Sequence, residues 1–203
     1  MTSAANPPPL SLPKFTFLCG PQSPAKNLLA AAISERDPGL MLCDFESPLR
    51  DATVSLFFGG DILGHDLTDE NERRKFLPCS LSWQEASGGK ISTADFLKGL
   101  GEFLESTHGP GVLGRIAFKS YLDDGCDTVF DRAIFRDAFA AADIVPFATR
   151  FGSDACLCIN LGPLTHNFTL PMAGVKCIWI AVPELDKQMA QLERELSTTA
   201  SAK

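Results

Sequence analysis

The segment best suited to chemistry is Gly20-Pro21-Gln22-Ser23-Pro24-Ala25-Lys26-Asn27. It follows a short apolar run and precedes residues with helical spacing, which is the setting of a phosphate-binding loop, or P-loop. In such a loop, backbone N–H groups and the positive end of the following helix surround phosphate oxygens. Lys26 would reach the β- and γ-phosphates from an exposed position, and Asn27 would replace the hydroxyl that binds Mg²⁺. Because Ala25 stands in place of the second consensus glycine, a plain strand-to-helix turn is the alternative.

Two carboxylates follow the next apolar run, residues 40–43. They are Asp44 and Glu46. Carboxylates at the carboxyl ends of parallel strands face the ligand crevice, where they could orient or deprotonate an acceptor hydroxyl. The alternative is that both are solvated loop acids that cap the helix opened by Pro48.

A third candidate group is the pair Asp131-Arg132, which follows the apolar residues 128–130. If these residues end a strand, Asp131 can bind Mg²⁺ through water and Arg132 can clamp a phosphate in a bidentate manner. Asn27 and Asp131 are therefore the predicted Mg²⁺ ligands. The alternative is a surface ion pair that closes the strand.

Short β-rich runs alternate with helical patterns, which predicts βαβ units and a parallel sheet. The chain of 203 residues fits a single domain, here residues 14–196, between an extended or disordered leader (1–13) and tail (197–203). The middle section, residues 61–87, is polar and rich in turns. Strands are predicted at residues 14–19, 40–43, 128–130, 156–159 and 176–182, and helices at residues 26–34, 49–58, 93–106, 112–123, 136–142 and 184–196.

The composition limits the function classes. A net charge of −7 and an isoelectric point near 4.9 argue against broad non-specific DNA binding. A local basic groove is still compatible, and the densest positive region contains Arg73, Arg74, Lys75, Lys90 and Lys98. No run of about 18 apolar residues is present, so we expect no membrane association and a cytoplasmic location. The seven cysteines lack paired metal-ligand spacing, and we expect buried, reduced thiols.

Several motifs resemble those of the bacteriophage deoxynucleoside monophosphate kinases and their P-loop relatives, which include the 5-hydroxymethyluracil DNA kinases. The likeness covers residues 15–142. Phe45-Glu46-Ser47-Pro48-Leu49-Arg50-Asp51-Ala52 is similar to the family's segment after the second strand, with Ser47 in place of the family's acid. Other similar segments are Lys75-Phe76-Leu77-Pro78, Gly88-Gly89-Lys90-Ile91-Ser92-Thr93, Phe96-Leu97-Lys98-Gly99-Leu100-Gly101-Glu102-Phe103, Gly109-Pro110-Gly111-Val112 through Arg115, and Asp131-Arg132.

The resemblance implies a three-layer α/β P-loop nucleotide-kinase fold with a parallel sheet and a helical insertion on the acceptor side. It implies ATP and Mg²⁺ as cofactors, with Lys26 and the loop amides around the triphosphate. Arg115 would meet a phosphate, and Arg150 is the candidate for a lid arginine. The expected reaction is ATP-dependent phosphorylation of a deoxynucleotide-type acceptor.

The acceptor remains open at this stage. The leading expectation is the hydroxymethyl group of 5-hydroxymethyluracil in phage DNA, which is a thymidine hypermodification in the host cytoplasm. One alternative is a kinase of free deoxynucleoside monophosphates. The other is a non-catalytic nucleotide-binding protein that keeps the fold without the reaction.

Overall fold

The structure is a computed structural model that describes residues 10–20, 24–37, 39–58, 64, 67, 69–75, 77, 91–138, 141–162 and 174–200. Its strands are β1 (Phe15–Cys19), β2 (Leu40–Cys43), β3 (Arg132–Ala138), β4 (Cys156–Leu161) and β5 (Lys176–Ile180). Its helices are α1 (Pro24–Arg36), α2 (Ser47–Phe57), α3 (Glu70–Arg74), α4 (Thr93–His108), α5 (Val112–Asp123), α6 (Cys126–Val129), α7 (Ala141–Phe151) and α8 (Leu185–Ala200). A 3₁₀ helix (Ser153–Ala155) precedes β4.

The strands form one parallel sheet in the order β2-β3-β1-β4-β5. The first strand is central, because Phe17 lies beside Phe135 of β3 on one side and Cys158 of β4 on the other. All five residues of β1 are buried, as expected for a strand covered on both faces. The predicted α/β class and the parallel sheet are therefore confirmed.

Helices cover both faces of the sheet. Phe15 and Phe17 point to one face, where residues of α5 and α7 complete an aromatic core. Leu18 points to the other face and packs with residues of α1 and α8. Side chains of a strand alternate between its two sides, so one strand supplies both cores. The arrangement has three layers.

The chain between β2 and β3 carries the helices α2 to α6. A smaller apolar cluster holds this helical segment together, with Leu49 of α2 against Leu97 of α4 and against Val112 and Leu113 of α5. The predicted helices in this segment are confirmed, with ends that shift by a few residues.

Two sequence predictions in this part of the chain are wrong. Residues 128–130 were predicted as a strand, but Thr128 and Val129 end helix α6, which the left-handed Gly125 precedes. Residues 136–142 were predicted as a helix, yet Arg136 to Ala138 belong to β3. Pairing of β3 with both β1 and β2 outweighs the local helix propensity of these residues.

Described residues on both sides of the predicted domain, residues 14–196, contribute to the fold. Leu10 and Leu12, placed in the predicted leader, are buried against the core that α1 and α8 share. The last helix continues to Ala200, into the predicted tail. Residues 1–9 and 201–203 lie outside the described part of the chain. Among the described residues, no helix is long and apolar enough to cross a bilayer, and the cysteines described are free thiols.

Candidate functional site

The sheet has a topological switch point between β1 and β3. Helix α1 directly follows β1 and packs on one face, whereas α7 directly follows β3 and packs on the other. At such a point the chain leaves two neighbouring strands in opposite directions, and a crevice opens at their carboxyl ends. The residues that follow β1 and end β3 therefore border the candidate site, which we call the β1–β3 crevice.

The turn at the end of β1 requires glycine. Gly20 has a φ of +105°, and a Cβ on it would lie 2.4 Å from the carbonyl oxygen of Leu161 and 3.0 Å from Oδ1 of Asn160. A side chain at this position would be strained and would also clash with the end of β4. The turn therefore runs close against the sheet, as a phosphate-binding loop does.

The rest of the predicted loop is only partly described. Pro21, Gln22 and Ser23 lie outside the described residues. Pro24 opens α1, a position at which its missing N–H costs no hydrogen bond. Ala25 is partly buried and Asn27 is exposed on the first turn of the helix.

Lys26 is buried, which corrects the expectation of an exposed loop lysine. The residue is only 3% exposed, and its Nζ donates a hydrogen bond to the carbonyl oxygen of Gly20 at 3.0 Å. Burial lowers the pKa of Lys26, while Asp137, then Cys19 and Glu46, oppose that shift. The amine is thus held under the turn, next to the end of β3.

Asp137 was not predicted as a site residue, although it is the carboxylate at the crevice end of β3. Its Oδ1 accepts the N–H of Phe45 at 2.7 Å and its Oδ2 accepts the N–H of Glu46 at 3.2 Å. Burial, and then the negative charge of Asp44, raise the pKa of Asp137 to about 7. The pair Arg136-Asp137 follows an apolar run, Ala133-Ile134-Phe135, so the criterion applied to Asp131-Arg132 could have found Asp137.

Asp44 is surrounded by arginines. Its Oδ2 accepts a hydrogen bond from Nη2 of Arg50 at 2.7 Å, and its Oδ1 accepts one from Nε of Arg136 at 2.8 Å. Burial opposes ionisation, but the hydrogen bonds and charges of Arg136 and Arg50 lower the pKa of Asp44. Both oxygens are engaged, so the geometry suits holding the two arginines better than taking a proton from an acceptor.

Glu46 lies at the boundary between the crevice and the helical segment. Its Oε2 accepts a hydrogen bond from Nη2 of Arg73 at 2.9 Å and lies 3.5 Å from Nη1 of Arg50. It also lines a cavity of about 660 Å³ between α2, α3, α4 and α5, here called the helical cavity. The charged lining residues within the described ranges are three cations and four carboxylates: Arg73, Arg74, Lys98, Glu46, Asp95, Glu102 and Glu105.

Asp131 and Arg132 lie at the wrong edge of the sheet for the predicted role. They precede and begin β3, so Asp131 is six residues, or about 20 Å, from Asp137. Arg132 forms an ion pair with Asp37 at 3.0 Å and donates to the carbonyl oxygen of Leu10 at 3.2 Å. The predicted Mg²⁺ pair of Asn27 and Asp131 therefore cannot share one ion.

The predicted phosphate arginines are also placed elsewhere. Arg115 donates to the backbone carbonyls of His108 and Pro110, at 2.9 and 3.4 Å, around the start of α5. Arg150 is exposed in the last turn of α7, which runs away from the crevice toward the start of β4. Neither side chain lies at the β1–β3 crevice. Within the described ranges, no group of three or more His, Cys, Asp or Glu could hold a metal ion.

No protein-family model matches the chain, and no curated protein shows significant similarity to it. The functional argument therefore depends on the geometry of the crevice.

Proposed function

We propose that this chain is an ATP-dependent phosphotransferase whose triphosphate site is the β1–β3 crevice. The observation that carries the proposal is Lys26, whose Nζ is buried beneath the Gly20 turn at the switch point and beside Asp137. A buried cation below a glycine turn, at the first turn of a helix, favours an anion above it. A triphosphate is an anion of that kind.

The residues also fit a magnesium ion bound together with the nucleotide. Mg²⁺ in phosphotransferases uses one or two carboxylates together with phosphate oxygens, so it does not need a cluster of protein ligands. Asp137, at the end of β3 beside Lys26, is the carboxylate that would hold it. The ion would neutralise charge that develops on the transferred phosphoryl group. Asp137 thus takes the role that the sequence assigned to Asp131.

The arginines around Asp44 would contribute fixed positive charge to the site, in addition to Lys26 and the magnesium ion. Asp44 holds Arg50 and Arg136 by hydrogen bonds, and Arg136 is the neighbour of Asp137 on β3. Transfer of a phosphoryl group depends mostly on alignment and on fixed charges. Held in place before substrate binds, the guanidinium groups are preorganised for an anionic transition state.

For the acceptor, we propose a deoxynucleotide bound in the helical cavity next to Glu46. The resemblance favours a 5-hydroxymethyluracil base in phage DNA. The charge of the described cavity lining favours a free deoxynucleoside monophosphate, because among those residues four carboxylates accompany three cations and Arg73 is paired with Glu46 at 2.9 Å. A DNA strand would bring a row of phosphates to this surface, whereas a monophosphate brings one.

The decisive experiment incubates the full chain with labelled ATP and Mg²⁺ against a panel of deoxynucleoside monophosphates and 5-hydroxymethyluracil DNA. Label on a monophosphate, with an activity that changes little with salt, would support the monophosphate kinase. Label on DNA, with an activity that falls steeply with salt, would support the DNA kinase. Binding of ATP without transfer to any acceptor would point to the non-catalytic protein, and the absence of ATP binding would contradict the proposal.

A further inference from the structure

A buried carboxamide lies beside the Gly20 turn, on the side of β1 that faces away from Asp137. Asn160 is near the carboxyl end of β4 and is the sheet partner of Cys19, the last residue of β1. A Cβ on Gly20 would lie 3.0 Å from Oδ1 of Asn160. Because glycine has no Cβ, the carboxamide packs directly against the turn under which the Lys26 amine is buried.

The Asn160 carboxamide is buried without a hydrogen-bond partner. The residue is 4% exposed, and its side chain makes no hydrogen bond in the part of the chain that the structure describes. Buried polar side chains nearly always have a partner. The two polar atoms of Asn160 are not among the unpaired atoms that are sealed from solvent, a group that includes Thr16 Oγ1 and Tyr121 Oη. The carboxamide therefore keeps accessible surface that a ligand can contact.

The chemistry of the carboxamide suits a phosphate oxygen. Its Nδ2 carries two N–H donors, and the ionised oxygens of a phosphate accept hydrogen bonds. Its Oδ1 already lies against Gly20, so the donors are left for the ligand. The group has no charge, and it therefore adds a contact to an anion held by Lys26 without competing with the cation.

The position of the acceptor cavity decides which phosphate Asn160 meets. The helical cavity reaches the crevice at Glu46, whose N–H binds Asp137 of β3. The phosphoryl group that is transferred must therefore lie on the β3 side of the Gly20 turn. Asn160 lies on the other side of β1, on β4. A triphosphate across the turn brings to Asn160 a phosphate that stays with the nucleotide.

We propose that Asn160 donates a hydrogen bond to a phosphate of the bound nucleotide that is not transferred. The inference rests on the proposed triphosphate site. Such a contact is equally strong before, during and after the transfer, so it strengthens binding without lowering the barrier of the reaction. Asn160 is thus a binding residue for ATP and for the product ADP, whereas Asp137 acts in the transfer itself.

The test measures binding of ADP and of inorganic pyrophosphate to the full chain by calorimetry without Mg²⁺. N160A should weaken both ligands by the same factor, about 10- to 100-fold, because one hydrogen bond to a charged group is lost. N160D keeps the size of the side chain but replaces the donors with a negative charge, so it should weaken both at least about tenfold more. Weaker ADP binding with unchanged pyrophosphate binding would overturn the proposal, because Asn160 would then contact the nucleoside.

The matched control is Q188A. Gln188 is a carboxamide of α8 that is 3% exposed, and its Nε2 donates to the carbonyl oxygen of Val182 at 2.9 Å. Q188A should lower the melting temperature and leave ADP affinity unchanged. N160A removes an unpaired group, so it should lower the melting temperature of the ligand-free chain less than Q188A does. A lower melting temperature in N160A with wild-type ADP affinity would show a structural carboxamide and overturn the proposal.

Kinetics give a second readout. N160A should raise the KM for ATP by the factor found for ADP and keep kcat within about twofold of wild type. A loss in kcat with unchanged KM would overturn the proposal. If the wild-type chain binds neither ADP nor pyrophosphate, the proposed function fails together with this inference. If the wild type binds both, K26A weakens both and the Asn160 variants bind like wild type, only this inference fails.

Discussion

The two ends of β3 carry the same pair of residue types in different surroundings. At its start, Asp131 is exposed and Arg132 pairs with Asp37 at the amino edge of the sheet. At its end, Arg136 pairs with Asp44, and Asp137 binds two backbone N–H groups at the carboxyl edge. In a parallel sheet only the carboxyl edge opens onto the ligand crevice. The position of an Asp–Arg pair along the strand, and not its composition, decides whether it can serve the site.

The largest difference between the two edges should appear on replacing their lysines. K26A should reduce phosphoryl transfer by about 10²- to 10³-fold, because it removes the buried cation under the loop. K14A is the matched control at the amino edge, where the Lys14 Nζ lies 3.4 Å from the carbonyl oxygen of Asp127. It should leave transfer near the wild-type rate. Steady-state kinetics with ATP measure both, and unchanged turnover in K26A would contradict the P-loop assignment.

The next effect compares the two aspartates of β3. D137N should lower kcat by about 10²-fold at fixed Mg²⁺, because it removes the negative charge and keeps the volume. D131N should change kcat little, since Asp131 is exposed about 20 Å away. Kinetics at several Mg²⁺ concentrations test this prediction. A larger loss in D131N than in D137N would restore the assignment made from the sequence.

The carboxyl and amino edges of the sheet should differ less in their effect on the free energy of unfolding than in their effect on activity. D44A leaves Arg50 and Arg136 without their shared carboxylate, and we expect a loss of about 3 kcal/mol in the free energy of unfolding. D37A breaks a single ion pair with a partly exposed arginine and should cost about 1 kcal/mol. Urea denaturation of both variants measures the difference. Similar losses would show that the Asp44 network adds nothing beyond one pair.

The smallest effect is a pH dependence at the carboxyl edge. The pKa of Asp137 is raised from 3.8 to about 7, so the native state binds its proton more tightly than the unfolded state does. The contribution of Asp137 to stability should therefore be complete below about pH 4 and be lost as the pH rises through about 7. D137N should flatten the curve in this window. Denaturant titrations of both proteins at pH 4.5 to 8 test this, and parallel curves would contradict it.

Much of the fold follows from local patterns in the sequence. The strands β1 and β2 and helices such as α5 are predicted closely, because their apolar residues recur with the period of the element. The strand β3 is not, because Arg136 and Asp137 interrupt its apolar run and alanines follow. Its pairing with two neighbouring strands is a long-range effect that a local pattern does not contain.

Local sequence patterns likewise predict some residues of the candidate site and miss others. Gly20 and Lys26 lie in consecutive elements, so their position at the end of β1 is predictable from the sequence. Asp137 comes to Lys26 only through the insertion of β3 between β2 and β1. The burial of Lys26 is also a consequence of tertiary packing. Its position in the sequence, between a predicted strand and a predicted helix, indicates an exposed loop lysine.

Phe45 connects the β1–β3 crevice with the global unfolding of the domain. Its N–H binds Asp137, while its ring is fully buried and stacks on Phe135, with ring centroids 4.9 Å apart. That amide proton cannot reach solvent by a local movement of the loop, since its own ring is fixed in the aromatic core. Its hydrogen exchange should therefore be among the slowest in the molecule and proceed through global unfolding, which makes one amide signal a measure of the stability of the entire domain.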